Sequence, residues 1–202
     1  MARRALIVGT GVADRVAAGL AGWEIERSPS SGGLDLVVWA DYPALACEPR
    51  RIVDLSPADW DAACDRPLRS VIDLARTVHA PLAATGGTFV AIVPLMASAG
   101  GARYTTLASL GEGVRLLAKS LAKTWGADGI TAHSITLDPH AFLAPEHATG
   151  IAADNALHDP PLGRIPDDAD DVAPIIDWLA SGAAAPLIGS SLVIDGGLWM
   201  PG

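Results

Sequence analysis

Short apolar runs closed by turn residues alternate along this chain with stretches whose apolar positions recur every three or four residues, the pattern of strands alternating with helices. The run ALIVG at 5–9 is rich in branched residues and ends on Gly. VADRVAAGLAG at 12–22 follows at helical spacing, which predicts strand, tight turn and helix. WEIER at 23–27 reads as a second short strand, SPSSGG at 28–33 as a turn-rich connector, and LDLVVWA at 34–40 as a buried strand of the parallel-sheet kind. Ser56 followed by Pro57 offers a capped helix start; the helix is expected to run through Trp60, Leu68, Ile72 and Leu74 to about His79, before Gly86 and Gly87 stop the connector. TFVAIVPLM at 88–96 is another buried strand, 102–126 the next helix, and GITAHSITL at 129–137 a further strand. From Asp138 to Asp168 the chain is rich in Ala, Pro, Asp and His without a clear period. DVAPIIDWLA at 171–180 then reads as a capped helix and SSLVID at 190–195 as the last strand. The alternation predicts a single α/β domain over 1–202: a doubly wound parallel sheet, Rossmann-like, of about six strands.

Composition narrows the function classes. Apolar residues make up 50% of the 202, enough for one sizeable core. A net charge of -9 with only 14 Lys and Arg argues against a phosphate-binding surface, so no nucleic-acid partner is expected. No run reaches the roughly 18 apolar residues of a membrane span. The opening MARRALIVGTG breaks into Gly and charge before signal-peptide length, which predicts a soluble, cytoplasmic protein with no membrane partner. Cys47 and Cys64 are too few and too far apart for a disulfide framework or a zinc site and read as two core thiols.

The helix at 102–126 raises the question of a catalytic Tyr–Lys pair, which must share a helix face at i and i+4 or i+3. Tyr104 meets Ala108 and Leu107, Lys119 meets Arg115 and Leu116, Lys123 meets Lys119 and Ser120, and the other Tyr, Tyr42, precedes Ala46. No register supplies the pair. The stripe Leu110, Val114, Leu117 and Leu121 is expected to pack on the sheet, leaving Ala108, Gly111, Glu112 and Arg115 as a small-residue face that a second helix could approach.

The tail PLGRIPDDADDVAPIIDWLASGAAAPLIGSSLVIDGGLWM, with LSPADWDAACDRPLRSVIDLARTVHAPL and GGTFVAIV in the middle, resembles the short-chain dehydrogenase/reductase family. The resemblance implies positions for that family's catalytic residues, anchored on AKSLAKTW. The Tyr falls on Leu107, the Lys on Gly111, the Ser on Pro94 and the helper Asn on Pro67. None can titrate, so no catalytic residue is expected there. The family's glycine-rich turn reads GTGVADR, keeping Gly9 and Gly11 as vestiges with Ala13 and Arg15 where later glycines stand. The segment holding adenine in the family is absent between 22 and 34. The nicotinamide-side motifs read Trp39-Ala40-Asp41-Tyr42 and Leu137-Asp138. Trp39 and Tyr42 are expected to fill the cofactor cleft. On this reading neither NAD nor NADP is expected to bind.

His133, His140 and His147, with Asp138 and Glu146, match no metal-ligand spacing, and no metal is expected. The ranked expectation is a non-catalytic subunit that assembles, with itself or with a catalytically complete sister of the same family, through the retained fourth and fifth helices and the tail. The alternatives are a cofactor-independent lyase, isomerase or hydrolase using Tyr104, Asp138 and His140, and an NAD(P)-dependent oxidoreductase with atypical residues.

Overall fold

The computed structural model describes residues 2–154 and 159–200. The six expected strands are present: β1 (Arg3–Gly9), β2 (Trp23–Glu26), β3 (Leu36–Ala40), β4 (Thr88–Pro94), β5 (Thr131–Leu137) and β6 (Ser191–Ile194). They form one sheet, paired in parallel throughout, in the order β2-β1-β3-β4-β5-β6. Strands buried on both faces need no polar alternation, and β3 and β4 are buried at every position.

Along β4 the side chains still divide by face. Val90 and Ile92 join α1 (Val12–Gly19) and a C-terminal helix, Ala173–Leu179, in one core; Phe89, Ala91 and Val93 join a second core built on two long helices. The helix expected from Ser56 is there, capped by the Ser56 hydroxyl on the Asp59 amide, but it comes in pieces: α2 (Pro57–Trp60), a wide π turn at Asp61–Asp65, and α3 (Arg66–Ala83). After a short α4 (Met96–Ala99) comes α5 (Thr105–Trp125). A ten-residue helix, α6 (Pro145–Asp154), occupies ground where no period was expected, and α7 is the Ala173–Leu179 helix.

The buried stripe of α5 keeps Leu110 and Val114 of the expected one and is wider. It runs through Leu107, Leu110, Gly111, Val114, Ala118, Ala122 and Trp125, with Leu117 and Leu121 only partly covered. Gly111 therefore faces inward: a Cβ there would lie 2.9 Å from Pro94 Cδ and 3.0 Å from Ala97 Cβ. The small-residue face proposed for a second helix is taken, at Gly111, by this chain's own β4 end and α4. Each fully buried Leu or Val on this stripe contributes about 1.5–3 kcal/mol.

From β1 the chain pairs first on one side, with β2, and then crosses to the other, with β3. The gap between the carboxyl ends of β1 and β3 is thus the switch point at which open α/β sheets bind ligands. Gly9 and Ala40 are register partners at that point.

Candidate active site

Gly9 ends β1 with φ +117°, and a Cβ on it would sit 2.3 Å from the Ala40 carbonyl oxygen. Only Gly allows so close an approach of the two strands. Gly11, at φ +63°, is the N-cap of α1, and a Cβ there would meet nothing nearer than the Arg15 guanidinium at 4.0 Å. The space beside Gly11 is therefore open, and the first amides of α1 lie next to it. One of these is engaged: Gly11 N–H donates to Asp14 Oδ2 at 3.0 Å, while Arg27, the residue just past β2, donates to Asp14 Oδ1 at 2.8 Å. Arg27 also donates to the Gly9 carbonyl at 3.4 Å. Sequence reasoning passed over Arg27, although a cation directly after the second strand of such a unit is a recognisable signal.

A cavity of about 200 Å³ opens beyond the carboxyl ends of β5 and β6, lined by their last residues, Leu137 and Ile194, and by Arg15, Asp138, His140 and Asp168 among others. Arg15 reaches over from α1, donating to Asp168 Oδ2 and to the Ala141 carbonyl, each at 2.7 Å. Burial pushes the Asp168 carboxyl above its ordinary range, with Arg15 working against that rise. Nothing in the spacing of Arg15 and Asp168 announces this pair; only the fold brings them together.

Asp138, 3% exposed, caps a 3-10 turn at Pro139–Ala141. Its Oδ1 accepts from the His140 amide at 2.7 Å and lies 2.6 Å from His140 Nδ1. Asp138 and His140 are thus one unit. Tyr104 is not part of it. It is buried with Leu107, Met96 and Leu143, and it lines a separate cavity of about 60 Å³ with Arg103, Glu146 and His147. Burial raises the Tyr104 phenol further above its ordinary value, which unsuits it for proton exchange near neutral pH.

The positions assigned by resemblance do gather. Pro94 ends β4, Gly111 packs on it, and Leu107 lies one turn before Gly111, fully buried; Pro67 stands in the first turn of α3. None of the four carries a titratable group. Trp39, Tyr42 and Phe142 form an edge-to-face row with centroids 5.0 and 5.2 Å apart, and the Tyr42 hydroxyl donates to the Ile92 carbonyl at 3.1 Å. The three histidines do not converge: His133 is buried inside β5, His140 lines the larger cavity and His147 the smaller. Cys64 is buried and Cys47 partly so, both as free thiols.

The model of a family described as enoyl-(acyl carrier protein) reductase matches residues 28–199, beginning after β2 and leaving out the Gly9–Gly11 turn and α1. A tropinone reductase homolog of Arabidopsis thaliana is 26% identical over 176 residues, covering 85% of this chain and 64% of its own. The 3-oxoacyl-[acyl-carrier-protein] reductase of Haemophilus influenzae is 28% identical over 155 residues, covering 74% and 62%. The mouse (3R)-3-hydroxyacyl-CoA dehydrogenase is 26% identical, covering 74% and 58%. The chain spans about three fifths of the length of these curated relatives. Among solved structures, one from Agrobacterium tumefaciens, assigned as a 2-deoxy-D-gluconate 3-dehydrogenase and holding bound NADP, superposes with a TM-score of 0.77 at 26% identity, covering 97% of this chain and 96% of its own. A Sinorhizobium meliloti protein assigned as a short-chain alcohol dehydrogenase gives a TM-score of 0.78 at 20% identity and agrees in fold.

These findings overturn two expectations. A non-catalytic partner subunit is contradicted by relatives that are named as reductases and dehydrogenases. The expectation that no nicotinamide cofactor is used is contradicted by the NADP held in a structure that matches this chain nearly end to end. Both expectations rested on residues lost from motifs, whereas the crevice that receives a dinucleotide is made mainly by backbone and topology. Through the family match over residues 28–199, the chain belongs to the short-chain dehydrogenase/reductase family.

Proposed function

We propose that this chain is an NAD(P)-dependent oxidoreductase that interconverts a carbonyl and a hydroxyl group on an acyl-type substrate, using residues unlike those the family resemblance implies. The observation that carries the reading is the Gly9–Gly11 turn, with open space beside Gly11 and a place at the switch point of the sheet. That turn fits the phosphates of a dinucleotide: the backbone of Gly9–Gly11 and the first amides of α1 would hold them, with Asp14 releasing the Gly11 amide. Arg27, beside the turn, would pair with a ribose 2′-phosphate. When bound, the nicotinamide supplies the hydride. The chain's own residues orient the ligand, cover it from water and move the proton.

The acyl class is suggested by relatives named for 3-oxoacyl and 3-hydroxyacyl substrates. The direct test follows NADPH absorbance with acetoacetyl-CoA, and NADH in parallel. Saturable, substrate-dependent oxidation is expected; no turnover of the thioester with either nucleotide would overturn the reading.

Self-association belongs to the same proposal. Ile72 on α3 and Leu116 on α5 are 42% and 50% exposed, and a groove lined by Ile72, Leu117, Leu121 and Trp125 runs between the two helices. An apolar surface of that kind favours a second copy over water.

A further inference from the structure

Any reduction of a carbonyl needs a proton donor, and the positions assigned by resemblance, Pro94, Leu107 and Gly111, offer none. A carboxylate and an imidazole stand together elsewhere. Asp138 is almost wholly buried at the carboxyl end of β5, and the turn it caps fixes His140 two residues later. Because Asp138 Oδ1 lies 2.6 Å from Nδ1, the neutral ring carries its proton on Nδ1 and leaves Nε2 as the free base. His140 Nε2 has no hydrogen-bond partner among the described residues, and the side chain, 31% exposed, lines the cavity of about 200 Å³. The other charged groups lining that cavity are already engaged: Arg15 with Asp168 and Ala141, and Asp167 with the amides of Ala169 and Asp170.

We propose that His140 is the proton-transfer residue of this site and that Asp138 is its positioning residue. The assignment rests on the oxidoreductase reading above. With a reduced dinucleotide bound to supply hydride to the carbonyl carbon, the C–O π pair would move onto oxygen, and that oxygen would take the proton that Nε2 carries when the His140 ring is in its doubly protonated, imidazolium form. The ring is left neutral, held through Nδ1 by Asp138, and regains a proton from water at the open side of the cavity. In the oxidative direction Nε2 accepts the hydroxyl proton. The cavity volume suits the reacting end of a ligand; whole drug-sized ligands occupy about 300–1,000 Å³.

The test uses the full chain and three forms: wild type, His140→Gln and Asp138→Asn. With acetoacetyl-CoA and NADPH, kcat of His140→Gln should fall at least about 100-fold, the usual contribution of a general acid, while KM for NADPH moves by less than about threefold. Nitrogen NMR of the histidines should show the neutral His140 ring protonated at Nδ1 in wild type, and a mixture of tautomers in Asp138→Asn with a lower kcat. A His140→Gln enzyme turning over within twofold of wild type would overturn the assignment, as would a neutral ring protonated at Nε2. Wild type that fails to bind NADPH marks the different failure: the redox reading itself falls, and the proton role with it.

Discussion

Arg27 and His133 show how much a single side chain decides here. Arg27 touches both Gly9 and Asp14, so it stands at the edge of the Gly9–Gly11 turn, half-exposed and paired with Asp14. Arg27→Ala is expected to weaken NADPH binding about tenfold, the scale of one charge-assisted contact, and to leave NADH binding unchanged. Isothermal titration with the two nucleotides checks it; equal losses would place Arg27 on the shared phosphates. His133 is fully buried in β5 with neither ring nitrogen bonded among the described residues, and burial pushes its pKa down. The unfolded chain then takes up a proton that the folded chain refuses. Stability is therefore fully present above the ordinary His value and falls as pH drops through about 6.5, at up to about 1.4 kcal/mol per pH unit, until the lowered folded value is reached. His133→Leu should remove that contribution and gain about 1–2 kcal/mol at neutral pH by eliminating unbonded nitrogens. Urea unfolding of both proteins, on the acid side and near neutrality, decides this; equal acid sensitivity in the two would refute it.

At the scale of elements, the six strands were legible because parallel buried strands leave short branched runs closed by Gly or Pro, as in ALIVG and TFVAIVP. Helix α6 was not, because its sequence, PEHATGIAAD, carries too few large apolar residues to show a period. The inward turn of Gly111 was also hidden. A small residue on a helix serves equally well beside a partner or beside its own chain, and only the fold showed Pro94 and Ala97 pressed against it. The Asp138–His140 unit was half legible, from two residues close in sequence, whereas Arg15 and Asp168 come from opposite ends of the chain. Gly111→Ala tests the α5 packing. A helix gains up to about 1 kcal/mol from Gly to Ala, but the crowded methyl costs about 1–3 kcal/mol, so a net loss of stability is expected in thermal or urea unfolding. A stabilised variant would show that the contact is loose. For the α3–α5 groove, Ile72→Asp should convert an associated species to monomer in light scattering without lowering Tm; an unchanged mass would remove this face as the interface.

For the molecule as a whole, the family match runs from 28 to 199, while Pro67, Pro94, Leu107 and Gly111, the positions assigned by resemblance, carry no titratable group. The proposed dinucleotide site rests on topology, the Gly9–Gly11 turn at the switch point, rather than on the side chains around it. Among the described residues no helix is long and apolar enough to cross a membrane. Binding of a nicotinamide dinucleotide, on which the proposed function stands, is read out by the melting temperature with and without NADPH. A ligand at about 100 times its Kd adds about 2.7 kcal/mol to the native state, which for a chain of this size raises Tm by about 5–10 °C. A saturable rise of that order, reached at sub-millimolar NADPH, is the predicted result. An unchanged Tm with NADPH and NADH both at millimolar concentration would contradict the account.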